Sequence, residues 1–222
     1  MKIYDAKDCA PLLERAFAER EKELSAVRSI LDDVRTRGDR AVFDYERKFD
    51  ATELTADNFR VSEEEIAAAY EAVPPELLES LKKAIRNIYE YHSRAGRRDN
   101  LVTKDGRTTG YVVRPVSSAG IYAPGGTAPL SSSVLMGVLP AKAAGVGRIV
   151  LATPAKGGTV APLTLVAAKD CGVSEIYKMG GAQAIAALAY GTESVKKVDV
   201  IAGPGNIYVT HAKKEVYGEV GT

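Results

Sequence analysis

Four short apolar runs, each leading into a glycine turn and then a helix-compatible stretch, most constrain what this chain can fold into. The runs are Gly120–Ala123, Arg148–Ala152, Glu175–Met179 and Val198–Ala202. The turns are Pro124-Gly125-Gly126, Gly157-Gly158, Gly180-Gly181 and Gly203-Pro204-Gly205. Ala182–Tyr190 and Ile207–Tyr217 are two of the stretches that suit helices. Strands separated by helical crossovers form a parallel sheet with helices packed on its faces. The expected fold class is α/β: an incomplete, Rossmann-like open parallel sheet with helices on both faces, preceded by an N-terminal helical region. Pro140, inside Ser131–Ala144, predicts a kink or break, and Ser131-Ser132-Ser133 predicts a hydroxyl cap.

Composition changes near residue 110. Residues 1–110 hold 23 acidic and 20 basic side chains and 4 glycines, whereas residues 111–222 hold 6, 10 and 16. The first pattern suits helices with one solvated face, and the second suits buried strands joined by tight turns. The expected division is a mostly helical region over 1–109, serving as a packing or dimer surface, and an α/β region over 110–222. Within the first, Leu24, Val27, Ile30, Leu31 and Val34 recur at helical spacing, and Gly38 suits a left-handed end. Ser62 with Glu65 fits a capping box. Pro74-Pro75 stops one helix and starts the next, along which Leu78, Leu81, Ile85, Ile88 and His92 form an apolar stripe suited to a partner surface.

A net charge of +1 gives no field for nucleic acid or a membrane surface. No apolar run approaches the roughly 20 residues of a membrane span. Cys9 and Cys171 make no disulfide framework, and the start MKIYDAKDCA lacks the regions of a secretion signal. A cytoplasmic protein is expected.

Every glycine turn falls at the carboxyl end of a strand, where open α/β sheets bind ligands. There the backbone approaches a guest closely and the next helix offers free N–H groups to an anion. A nucleotide phosphate or a carboxylate is the expected guest; any one turn taken alone reads first as tight βα geometry, and it is four of them at one edge that point to a ligand. The fingerprint G-x-G-x-x-G is absent, so a dinucleotide would bind atypically. Chemistry is poorly supplied. His92 reads as a packing residue and His211 as a surface residue, and neither has a ligand neighbour at metal spacing. The serines have no base, Cys171 reads as a small buried residue, and Asp170, Glu175, Glu193 and Asp199 form no pair. No catalytic and no metal-binding residue is assigned.

Three strings carry a resemblance. Gly120-Ile-Tyr-Ala-Pro-Gly-Gly126 leads into Ser133-Val-Leu-Met136 and Pro140-Ala-Lys-Ala-Ala-Gly145; Gly180-Gly-Ala-Gln183 opens a run to Thr192; Gly203-Pro-Gly-Asn206 precedes Tyr208-Val209. With Arg35-Thr-Arg-Gly-Asp39 and Lys48-Phe-Asp50, these resemble the N-terminal half of histidinol dehydrogenase. The resemblance implies a zinc-containing, NAD-dependent enzyme of histidine biosynthesis that oxidises L-histidinol to L-histidine, and implies that Tyr122, Gln183 and Asn206 contact NAD. It also implies a homodimer, or a complementing C-terminal half. The family's zinc ligands and its Glu-His pair belong to the part of the pattern beyond Thr222, so the chain alone is expected to be inactive. A non-catalytic binding or assembly module, an excised or engineered domain, and half of a relative acting on another alcohol remain open.

Overall fold

The computed structural model describes residues 4–5, 21–96, 98–125 and 130–222; Cys9, most of the N-terminal stretch and Gly126 lie outside these. The helical spacing of the first region forms α1 (Glu21–Arg37), with Val27, Ile30, Leu31 and Val34 buried. Gly38, at φ 57°, closes it and leads into α2 (Asp39–Asp50). After the short α3 (Ala56–Phe59), α4 (Glu63–Ala72) starts with the full Ser62–Glu65 capping box. Pro75 opens α5 (Pro75–Ala95) as its first helical residue.

The four apolar runs become strands β3 (Ser118–Tyr122), β4 (Arg148–Thr153), β5 (Glu175–Lys178) and β6 (Val200–Ala202), parallel and in the order β5-β4-β3-β6. Helices α6 (Ser131–Ala143), α7 (Pro162–Cys171), α8 (Gly181–Tyr190) and α9 (Ile207–Glu215) connect and follow them. Alternation along the strands divides the core in two. Tyr122, Val150, Ala152, Tyr177 and Ile201 face a cluster built with α1, α2, α8 and α9. Ala119, Ile121, Ile149, Leu151 and Ile176 face the opposite cluster, built with α4, α5, α6 and α7. Both edges are covered, which blocks strand addition. Arg60 bridges Tyr177, with Val61 N donating to Ile176 O at 2.9 Å, and Gly221 bridges Val200.

The structure departs from several expectations. Residues 100–111 are not helical but form an antiparallel hairpin, β1 (Asn100–Lys104) with β2 (Arg107–Tyr111). Asp105 and Gly106 turn it with φ of 50° and 74°. Two positive φ values in a two-residue loop match the twist of the flanking strands. The composition change at 109–110 falls inside β2, and residues from both parts share both cores. The stripe on α5 is not a free surface, because Leu81 is buried and Leu78, Ile85 and Ile88 pack on the cluster holding Val134, Leu135 and Val138 of α6. Pro140 does not break α6, which runs through to Ala143. Its missing N–H falls in the last turn, where one bond at most is forfeited while four buried side chains hold the helix. The serines are the first three residues of α6, and its N-cap is Leu130, with no side-chain cap.

Candidate functional site

Reading the sheet from β3, the chain adds β4 and β5 on one side and then crosses to add β6 on the other. The strand order therefore reverses between β3 and β6, where open α/β sheets form their ligand crevice. Gly203 joins β6 to this crevice. It sits at φ 129°, and a Cβ there would lie 2.1 Å from the Tyr122 carbonyl oxygen, so only glycine fits. Asn206 follows as the N-cap of α9: its Oδ1 accepts from Val209 N at 3.1 Å, while the residue stays exposed. Lys213, one turn and a half along α9, donates from Nζ to Gly203 O at 2.8 Å and brings a positive charge to the turn.

Tyr122 ends β3 and points into the core on the α8 side. Its hydroxyl accepts from Gly181 N at 3.2 Å. Burial, with smaller contributions from Asp50 and Glu46, pushes the phenol up to about 12, so it keeps its proton near neutrality. Gln183, on the first turn of α8, is 1 % exposed. Its Nε2 donates to Glu46 Oε1 at 2.9 Å, and the same oxygen accepts from Gly180 N at 2.8 Å. Glu46 Oε2 and Gln183 Oε1 are buried without a partner. Burial pushes the Glu46 carboxyl up to about 7 against these two hydrogen bonds, and Asp50 adds to the rise. Near neutrality this acid is poised between its two forms, and in the neutral form it can itself donate.

The structure thus brings Tyr122 and Gln183 together on the Gly180-Gly181 turn, and places Asn206 on the neighbouring turn that touches the Tyr122 backbone. Glu46 escaped the sequence reading, and Asp50 entered it only within the Lys48-Phe-Asp50 string. A signal was there: buried Asp39, Val42 and Glu46 of α2 repeat at helical spacing, and a carboxylate on a buried stripe calls for a partner. His211 is not the plain surface residue expected, since its Nε2 is buried without a partner. His92 is half-buried, edge-on to Tyr91 at 5.1 Å. Cys171 is fully buried, and burial pushes its thiol up to about 12, an inert state. Asp170 accepts from the Tyr70 hydroxyl, Glu175 pairs with Arg148, Glu193 accepts from Asp39 N and Asp199 accepts from Ser118, so all four brace structure. Among the described residues no three His, Cys, Asp or Glu side chains converge as a metal ion needs, and no helix is long and apolar enough to cross a membrane.

The family model for histidinol dehydrogenase matches residues 13–222. Histidinol dehydrogenase of Moorella thermoacetica is 52 % identical over 220 residues, covering 98 % of this chain and 52 % of the relative. That of Bacillus subtilis is 52 % identical over 202 residues, covering 90 % of this chain and 47 % of the relative. The crystal structure of histidinol dehydrogenase from Elizabethkingia anophelis superposes with a TM-score of 0.90 at 38 % identity, over 98 % of this chain and 51 % of that one. The chain spans about half the length of the relatives it matches. On this match the chain belongs to the histidinol dehydrogenase family.

Proposed function

We propose that this chain is the cofactor half of a histidinol dehydrogenase, binding NAD across the carboxyl rim of the sheet. The platform would serve the oxidation of L-histidinol to L-histidine. The observation that carries the reading is the strand order β5-β4-β3-β6, whose reversal puts Tyr122 and the Gly203–Asn206 turn at one crevice. NAD, when bound, supplies the hydride acceptor. The chain's own residues bind and orient it. The start of α9 behind Asn206 offers N–H groups to a phosphate, and Lys213 adds positive charge beside Gly203. Tyr122 retains a phenolic proton to donate. Glu46 fixes the Gly180-Gly181 turn and the amide of Gln183. In this reading residues 110–222 supply the rim and residues 1–109 brace it.

Zinc, which the family resemblance implies, finds no fitting set of ligands among the described residues, and no step is derived through it. In this reading its ligands and the proton-transfer groups come from the C-terminal part of the family pattern, and the chain alone does not turn over histidinol. The assembly proposed is a homodimer or a pairing with a complementing C-terminal half. Supporting a covering partner, all ten residues of β1 and β2 are exposed, Leu101, Val102 and Tyr111 included. The same hairpin favours a second reading, an assembly module without catalysis.

Calorimetric titration of NAD into the 222-residue chain tests the reading. Binding is expected, weakened by Asn206→Ala and by Tyr122→Phe, and mixing with a C-terminal half should start histidinol-dependent NADH formation. No NAD binding with or without that half overturns the reading. Tight dimerisation without NAD binding favours the assembly module.

A further inference from the structure

The start of α8, a helix of ten residues, is filled by the chain's own carboxyl group. Glu46, fully buried on α2, accepts at Oε1 from Gly180 N at 2.8 Å and from Gln183 Nε2 at 2.9 Å. The Tyr122 hydroxyl accepts from Gly181 N at 3.2 Å, so both N–H groups of the glycine turn are taken. A helix start favours negative charge, and here Glu46 supplies it. A guest's phosphate would have to displace that carboxylate, so this corner does not recruit an anion.

A second and independent observation is what this arrangement leaves over. A carboxylate only accepts, so it engages the amide nitrogen of Gln183 and leaves the amide oxygen unused. Glu46 Oε2 and Gln183 Oε1 are two buried acceptors with no hydrogen-bond partner among the described residues. Such atoms are costly to bury unless something donates to them. They belong to the two groups already joined through Glu46 Oε1 and Gln183 Nε2. A protonated carboxyl facing an amide closes a second bond, acid O–H to amide oxygen, and one proton then serves both atoms. Burial, opposed by the Gly180 and Gln183 hydrogen bonds and aided by Asp50, pushes the Glu46 carboxyl up to about 7, where that proton comes and goes. Of the helices against α2, α1 buries Val27, Ile30, Leu31 and Val34, and α8 buries only alanines, Ile185 and Leu188 besides Gln183. The ionisable groups that act on Glu46 are therefore Asp50, one turn on, and the Tyr122 phenol of β3.

We propose that Glu46 and Gln183 form a proton-operated latch on the Gly180-Gly181 turn, which decides when Gln183 offers an acceptor to the guest. With the proton in place, acid and amide satisfy each other and the corner is shut. Once the proton leaves to solvent, Gln183 Oε1 lacks a donor, and a neutral donor of the guest, a hydroxyl or an amine, takes its place. Gly181 leaves the approach clear, since a Cβ there would lie 2.7 Å from Gln183 Oε1. Glu46 is a positioning residue in this scheme: it acts on the guest through Gln183. Guest binding releases the Glu46 proton, so affinity rises with pH through the range in which the carboxyl ionises and levels off above it. The coupling to the guest rests on the NAD reading; the latch itself does not.

Two measurements on the 222-residue chain test the latch. The side-chain amide resonances of Gln183, followed by NMR without ligand, should titrate with a midpoint of about 7. They should be flat in Glu46→Gln, whose amide nitrogen donates where the acid proton does. Asp50→Asn removes the neighbouring charge, keeps Glu46 and should lower the midpoint, which decides the matter even if Glu46→Gln does not fold. NAD affinity by calorimetry should be about tenfold weaker at pH 6 than at pH 8. In Glu46→Gln it should be independent of pH and about tenfold below wild type at pH 8, with stability undiminished. A merely structural role would lower stability and affinity together. Gln183 amide resonances that ignore pH across neutrality overturn the latch, whatever NAD does. NAD affinity that is independent of pH and unchanged in Glu46→Gln overturns the coupling and leaves the NAD reading standing. A titrating amide without NAD binding supports the latch and counts against the NAD reading.

Discussion

The two sides of the carboxyl rim are built on opposite principles. On the β5 side, Tyr122, Gln183 and Glu46 are buried and bonded to one another and to the Gly180-Gly181 turn. On the β6 side, Asn206 is exposed and its side chain caps its own helix. The buried side carries the ionisable groups and two unpartnered acceptors, so its energetics depend on protonation. The open side carries a helix terminus and one lysine, held on the Gly203 carbonyl. A guest can meet Asn206 at little cost. It can use the free acceptor of Gln183 only where the buried cluster opens. In the proposed reading, the rim receives the guest and the core sets the receiver's shape.

The turn joining the two sides is where that contrast breaks most completely. Gly203→Ala forces a Cβ to within 2.1 Å of a carbonyl oxygen at a φ of 129°. Such strain on a backbone that cannot move freely costs on the order of 3–4 kcal/mol. Chemical denaturation should show that loss, and NAD binding should disappear with it. A variant of wild-type stability would show that the β6 turn is not locked to β3.

Protonation separates the two sides next. The Glu46 carboxyl is raised from 4.5 to about 7, so the folded form holds its proton more tightly than the unfolded form does. Its contribution is therefore fully present below pH 4.5 and is lost as the pH rises through 7, a swing on the order of 2–3 kcal/mol. Glu46→Gln keeps an acceptor for Gly180 and Gln183 and removes the titration. The difference in unfolding free energy between the two proteins should move in favour of the variant across that window. A difference independent of pH would mean that the buried side carries no such proton. The smallest effect falls on the open side. Asn206→Ala removes one helix cap and should cost about 1 kcal/mol at every pH, with a larger relative loss of NAD affinity; a cap loss that varied with pH would tie the two sides together.

The strands, their turns and most helix ends were legible because each rests on local chemistry. Ser62 with Glu65 closes its own capping box, and Gly38 ends α1 by its own left-handed φ. The hairpin turn carried its own signal, since Asp105-Gly106 is a strong two-residue turn pair, but the helical expectation for residues 1–109 passed over it. The α5 stripe was visible as a stripe, and only the fold shows that it packs on α6, because periodicity gives a face without naming what covers it.

By itself the sequence determined the parallel α/β class, the position of each glycine turn at a strand end, and the motifs that place the chain in its family. Each run, turn and motif behind these is a short stretch of consecutive residues, read without reference to what packs on it. Only the tertiary structure decided that α2 brings Glu46 134 residues back to Gly180, and that Gln183 is buried while Asn206 is exposed. The reason is that burial and desolvation belong to the whole packed molecule. A carboxyl's proton affinity depends on which distant backbone closes over it, and no local pattern carries that information.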